Sequence, residues 1–600
     1  MTVPINPNRN ITSRAQNTWI IVRQKALILA VFSLVSCKTG QVNTTNLHMR
    51  DFAPTTVTGS YLIARQAYKS KDLANAGINF EAALKEDPEN RVLIGRAFLA
   101  ELEFGNMTSA IKLAERGNRL GMTAPFMLTV LGLDRARAGD WSAAEDLFLR
   151  MPKSGLNDVL SRLLRGWAAL GSGDNGLARI FFDEVKTLAG FDVLALLHAG
   201  HGARLSGDID EADNAFAEAI KKSQRPPLRL SLAVAIHHAE TGRLNKAKAI
   251  LEERDEWDFN ANKVAEILRR AKAGERVPGL VNTAADGMGE ALFDLASALQ
   301  RERRNNIAMI LAQLATYMRP DFPLARLLVG EILDDRGKHE RALTIYHGIS
   351  SASPYHAMAQ FRAAAGLQDL GRIDDAIALL RDFSTSWPDD PTPWIRIGDM
   401  QRAEKRWLDA VAAYDKAVSL IQKPGQGDWA LFYTRGIALE RAKQWKQAEL
   451  DFLKALELSP DQPYVMNYLG YSWTEQGIYL DRAKQMIEKA VKLRPRDGYI
   501  VDSLGWVLFR TGRFQESVPK LERAVQLRPN DATINDHLGD AYWRVGRRIE
   551  ARFQWRRALN MKPEPSLHDR IEHKLQNGLA APESAKGNKK KADGERVPDA

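Results

Sequence analysis

The chain contains one cysteine, Cys37, so one thiol is available as a nucleophile or acyl acceptor. A lone cysteine excludes an internal disulfide and any multi-cysteine metal site. The histidines offer little more. His198 and His201 are three apart, His237 and His238 are adjacent, and His568 and His573 are five apart. None has the His-Glu-x-x-His spacing that turns two imidazoles toward one zinc ion, and they read as helix-surface or turn residues. Gly171-Ser-Gly-Asp-Asn-Gly176 lacks the Gly-Lys-Ser/Thr of a phosphate cradle and reads as a turn. No Gly-x-Ser-x-Gly elbow is present. These residue types predict no enzyme, cofactor, metal or small-molecule substrate. A peptidoglycan hydrolase or glycosyltransferase would need a constellation that the chain does not spell.

The elements that carry these residues repeat. Small residues recur about every 34 positions: Ala76, Ala110, Ala144, Ala178, Ala212 and Ala247, then Ala308, Ala342, Ala376, Ala410, Ala448, Ala483, Ser517 and Ala551. Twelve residues before most of them stands Gly or Ala, as at Gly132, Gly166, Gly200, Gly330, Gly398, Gly436, Gly505 and Gly539. Four residues after them stands a large residue, such as Phe80, Phe148, Phe182, Tyr346, Phe452 or Trp555. Proline often follows twelve residues on, as at Pro88, Pro320, Pro460 and Pro529. A fixed period of this length marks a solenoid of stacked helix pairs. Paired small residues predict close backbone approach where the two helices cross, and proline stops the second helix.

The pattern Val501-Asp-Ser-Leu-Gly-Trp-Val-Leu, Phe514, Leu521, Ala524, Pro529 resembles the tetratricopeptide repeat (TPR) family. The resemblance covers Val57 to about Pro563 in fourteen units, starting near 57, 91, 125, 159, 193, 228, 289, 323, 357, 391, 429, 463, 498 and 532. It implies an all-α fold, a right-handed superhelix of about fourteen antiparallel helix pairs with an irregular joint in the middle. It also implies that the first helix of each unit lines a concave face. Residues at the matching positions of the last four units are Tyr433, Glu440 and Arg441; Tyr464, Asn467, Tyr471 and Glu475; Tyr499, Asp502, Trp506, Phe509 and Arg510; Asp536, Asp540, Trp543 and Arg544. Aromatic area beside orienting charges suits a groove for an extended or helical peptide. The alternative is that several of these aromatics pack between repeats. The Lys/Asn pattern of a carboxylate-clamping TPR domain is not visible.

The N-terminus carries a second signal. Arg9, Arg14, Arg23 and Lys25 precede an eleven-residue apolar run, Ala26–Ser36, of signal-peptide length and too short to span a bilayer comfortably. The run ends Leu34-Val-Ser-Cys37, which resembles a bacterial lipobox. The resemblance implies acylation at Cys37 and a lipoprotein facing the periplasm. Lys38, which is not Asp, favours the outer membrane, with the inner membrane as the alternative.

These readings divide the chain into a signal peptide (1–36), a flexible tether (37–56), a six-repeat array (57–255), a joint (256–288), an eight-repeat array (289–563), a capping helix (564–578) and a disordered tail (579–600). Within the joint, Asp258–Ala273 has helical periodicity. The cap places Leu567, Ile571 and Leu575 on one face, with Ser566 at its start. The net charge of +10 is spread thinly over 600 residues, which is no nucleic-acid signature. The expected function is a lipid-anchored periplasmic scaffold binding other envelope proteins or peptides, in assembly, secretion or polysaccharide export. The alternatives are a regulator held in the inner membrane by an uncleaved anchor and a soluble cytosolic adaptor. Oligomeric state is open.

Overall fold

The computed structural model describes residues 56–252 and 279–580, with positions 269, 270, 273, 275 and 277 between them. The signal peptide, Cys37 and its lipidation, the tether up to 55, most of the joint helix expected over Asp258–Ala273, and the tail from 581 lie outside the described residues.

Among the described residues there is no strand, and fourteen helix pairs follow one another. The first six are α1 (Val57–Lys69) with α2 (Leu73–Glu86), α3 (Arg91–Phe104) with α4 (Met107–Arg119), α5 (Pro125–Arg137) with α6 (Trp141–Leu149), α7 (Gly155–Gly171) with α8 (Asn175–Lys186), α9 (Asp192–Ser206) with α10 (Ile209–Lys222), and α11 (Leu228–Glu240) with α12 (Leu244–Glu252). The seventh to tenth are α13 (Ala284–Arg301) with α14 (Asn305–Met318), α15 (Pro323–Asp335) with α16 (His339–His347), α17 (His356–Asp369) with α18 (Ile373–Ser386), and α19 (Thr392–Ala403) with α20 (Trp407–Leu420). The last four are α21 (Trp429–Arg441) with α22 (Trp445–Leu458), α23 (Pro463–Gln476) with α24 (Leu480–Leu493), α25 (Gly498–Arg510) with α26 (Phe514–Leu527), and α27 (Ala532–Arg544) with α28 (Arg548–Asn560). A single helix, α29 (Pro565–Asn577), ends the array.

Local chemistry sets the helix starts. Asp72, Asn106, Asp140, Asp174 and Asp208 each accept a hydrogen bond from a backbone N–H of the first turn they precede. Thr283 and Asp286 form a reciprocal capping box, so α13 begins at 284 and not near 289. The stop of α29 agrees with Gly578, but its cap is Glu564 and not Ser566, because Pro565 takes the first helical position.

The repeating glycines do something other than the expected backbone-to-backbone approach. A Cβ on Gly132, Gly166, Gly200, Gly330, Gly398, Gly436 or Gly539 would overlap the ring of Phe148, Phe182, Phe216, Tyr346, Tyr414, Phe452 or Trp555 respectively. Each first helix is notched so that an aromatic ring of its own partner helix lies flat against it. Backbone is the tight neighbour only in part, at Gly470 and Gly505. Successive first helices also touch, as α23 with α25 and α25 with α27, whereas no comparably extensive contact joins successive second helices. The first helices therefore lie on the inner, concave side and the second helices on the convex side.

The second half does not simply continue the first. After the joint, α13 packs across α7 and α9, and α14 packs across α3 and α5. The seventh pair thus lies inside the concave face of the N-terminal array. One apolar core runs from Ala64 to Ala195 and resumes from Val281 to Ala413, while Leu196–Leu280 supplies a separate core. Gly287 presses on the Trp167 ring so closely that a Cβ there would overlap it. Around this wedge, Glu290 is buried and chelated by Arg229, Tyr317 donates to Asp134 at 2.7 Å, and buried Glu103 pairs with Arg336 at 2.8 Å.

This packing corrects the histidine reading. His198, His201 and His237 are buried, not surface or turn residues, because the fifth and sixth pairs and α13 close over them. His198 accepts from Trp167 Nε1 at 3.3 Å and lies 3.5 Å from Asp294 on α13, and His237 lies 2.8 Å from Asp213.

Candidate functional site

The inner face of the C-terminal array is not filled in this way. Its centre is α23, where Tyr464, Tyr468 and Tyr471 follow one face at i, i+4, i+7. All three are half-buried. Tyr433 on α21 meets Tyr468 edge-on at 6.0 Å and leans on Phe452 at 6.2 Å. Tyr468 donates to Glu440 at 3.2 Å, and exposed Arg441 stands 3.4 Å from the same carboxylate. The Arg494 guanidinium lies 5.8 Å from the Tyr464 ring and the Arg528 guanidinium 5.0 Å from that of exposed Tyr499. Between the tyrosines, the Asn467 Oδ1 is buried and has no hydrogen-bond partner.

One turn further along, Trp506 stacks on His537 at 3.9 Å and on Phe509 at 4.9 Å. Its indole N–H donates to Glu475, which also receives Arg510 at 3.2 Å. Asp502 is buried and holds His537 at 3.0 Å. The array therefore uses Asp502 and one face of Trp506 for packing between repeats. The half-exposed side of the Tyr464–Tyr471 row, with Glu475 and Arg510, remains on the inner face.

At the end of the array the expected groove residues are engaged differently. Asp536 and Asp540 are buried, and Lys574 of α29 binds them at 2.8 and 2.7 Å. Two carboxylates at the bottom of the inner face draw Lys574 inward from the cap. Trp543 is half-buried against Trp555 at 5.3 Å and is covered by Gly578, and Arg544 is half-buried near Phe514. The capping helix closes this end of the groove.

Residues 361–427 and 480–532 match the tetratricopeptide repeat family, at the spacing the helix pairs display. The fold is a TPR-like solenoid. A TPR repeat-containing protein of Pseudomonas aeruginosa is 28% identical to it over 198 residues, 32% of this chain and 32% of the relative. The RNA polymerase-associated protein CTR9 of Caenorhabditis elegans is 23% identical over 231 residues, 35% of this chain and 19% of that protein. The chain thus spans a third or less of the length of these relatives. Among solved structures, the APC/C hetero-tetramer Cut9–Hcn1 is similar at 14% identity, covering 88% of this chain and 97% of that one with a TM-score of 0.35. Yeast Tom70 is similar at 12% identity, covering 87% and 95% with a TM-score of 0.32.

Electrostatics distinguish the parts of the inner face. Burial pushes the Tyr433 and Tyr471 hydroxyls well above the ordinary phenol range, and Glu475 and Asp502 add to the effect at Tyr471. Tyr468 is pushed up to about 12 by burial and by Glu440. These phenols remain neutral donors over the physiological range. Burial alone would lower His537, but the carboxylate of Asp502, with Asp536 and Asp540 beyond it, outweighs burial and raises it. Among the described residues no group of three or more His, Cys, Asp or Glu is placed to hold a metal ion. Tyr468 stands outside the repeat positions that face the groove by family resemblance, and its signal in the sequence is the i, i+4, i+7 tyrosine spacing.

Proposed function

We propose that this protein is a protein-binding scaffold whose working surface is the inner face of repeats eleven to thirteen. The observation that carries this reading is the contrast in occupancy: the N-terminal inner face is filled by α13 and α14, whereas around α23 only the capping helix approaches among the described residues, with its Arg570 near Tyr471. The Tyr464–Tyr468–Tyr471 row offers rigid aromatic area and neutral hydroxyl donors, with Glu475 and Arg510 to orient a charged or polar ligand. That chemistry suits an extended or helical peptide segment of another protein. We further propose that the scaffold faces the periplasm, held to the outer membrane by lipid on Cys37 and binding envelope proteins in assembly, secretion or polysaccharide export. The Leu34-Val-Ser-Cys37 sequence after an apolar run supports this part.

A photoreactive amino acid placed at Trp506 in living cells tests the surface. Specific capture of a partner there is expected, and capture only from residues before 252 would overturn the assignment. Mass spectrometry of the mature N-terminus tests the anchor. An acylated Cys37 is expected, and an intact Met1 end would favour a chain held by an uncleaved segment or not secreted at all.

A further inference from the structure

The convex end of the array carries a feature the groove does not use. On α28, Ile549 is 84% exposed and Phe553 62% exposed. They are four residues apart and share one outward stripe of the helix. Other second helices expose single apolar residues, as at Ile78, Leu408 and Leu450. The nearest parallel is Leu177 and Ile180 on α8, the latter 55% exposed.

The charge around the two pairs differs. Helix α8 carries two basic and two acidic side chains: Arg179, Lys186, Asp183 and Glu184. Helix α28 carries four arginines, Arg548, Arg552, Arg556 and Arg557, against Glu550 alone. Glu550 is itself held by Arg547 at 3.0 Å. On neighbouring α26, Glu522 is held by the same arginine at 3.1 Å and Glu516 by Arg513, leaving Lys520 and Arg523 exposed there. Arg556 continues the Ile549–Phe553 stripe and has no ion-pair partner among the described residues.

We propose that this convex end docks on an anionic lipid surface, with Phe553 and Ile549 entering the headgroup boundary and the exposed Arg556 meeting lipid phosphates. Two arguments favour lipid over a protein partner. The side chains protrude from a convex surface, and a bilayer boundary accepts protruding apolar groups. The excess positive charge complements an anionic leaflet.

The full chain tests this. In a Cys37→Ser background, Phe553→Cys labelled with an environment-sensitive nitrobenzoxadiazole dye reports polarity at that position, independently of the N-terminus. With phosphatidylcholine vesicles containing about one-third phosphatidylglycerol, we expect a blue shift and an emission rise of about twofold. Pure phosphatidylcholine vesicles are expected to leave it unchanged, and high salt to reverse it. Adding Arg556→Glu is expected to weaken the vesicle titration about tenfold. The same dye at Ile180→Cys is expected to be silent. The proposal is overturned if the label at 553 ignores anionic vesicles, if position 180 responds equally, or if the response comes from an acidic polypeptide and not from vesicles.

Discussion

The two inner faces of this molecule are built from the same kind of helix and have opposite fates. In the N-terminal array, α3, α5, α7 and α9 present their inner sides to α13 and α14, and the surface disappears into a core. In the C-terminal array, α21, α23 and α25 present tyrosines, a tryptophan and charged residues that stay half-exposed. A concave face of this array is therefore free to meet a partner only where the chain has not already filled it. The difference also explains the chemistry of each face. The filled one pairs its charges internally and in the dry, as Arg229–Glu290 and Arg336–Glu103. The open one pairs them at the rim, as Arg510–Glu475, where water competes.

The sharpest way to break this comparison is to remove the wedge contact. Trp167→Ala deletes a fully buried indole beneath Gly287 and is expected to cost about 3–5 kcal/mol. Trp506→Ala is expected to cost only about 1 kcal/mol, the order of a stacked ring pair. Hydrogen exchange resolved over 284–318 and 498–544 measures both locally, which matters because a repeat array need not unfold in one step. Equal losses would mean that the two faces are energetically alike.

A smaller effect is expected from the ion pairs. Glu290→Ala leaves Arg229 buried without its counter-charge and should destabilise the first half by about 3 kcal/mol. Glu475→Ala should change stability by less than about 1 kcal/mol while still impairing capture at Trp506. Denaturant titration of the two variants side by side separates these outcomes.

The smallest expected effect is on pH dependence, and it differs in sign between the halves. Burial pushes His201 down, helped by His198 and Arg204, and pushes His238 down to about 4. A lowered value means that the unfolded chain takes up protons which the native state refuses. That contribution is complete above about pH 6.5 and is lost as pH falls from there toward 4. His537 is raised, so its contribution is complete below about pH 6.5 and is lost as pH rises through its folded value. Between pH 7.5 and 5.5, exchange protection over 192–240 should fall, and protection over 498–544 should hold or rise. Both segments moving the same way would show that the local carboxylates, and not these histidines, control the titration.

Much of the fold was legible in the sequence, because a 34-residue period leaves few ways to bury Ala178, Phe182 and Gly166 except against one another. The candidate surface was half legible. Tyr464, Tyr471, Trp506 and Arg510 were visible from repeat position, but Asp536 and Asp540 lie at equivalent positions and are taken by Lys574. Repeat position says which way a side chain points and nothing about what arrives to meet it. One clue to the fold-back lies in the sequence. The stretch Ala308-Met-Ile-Leu-Ala312 is apolar on every side of its helix, and such a helix is covered on all sides.

The sequence by itself determined the helix pairs, their caps and their number, because those depend on contacts within a few dozen residues. Only the tertiary structure decided which concave face remained a surface. That choice rests on contacts such as Tyr317 with Asp134, 183 residues apart along the chain. Such a contact joins partners from different repeats, and a period set by neighbouring repeats carries no record of it.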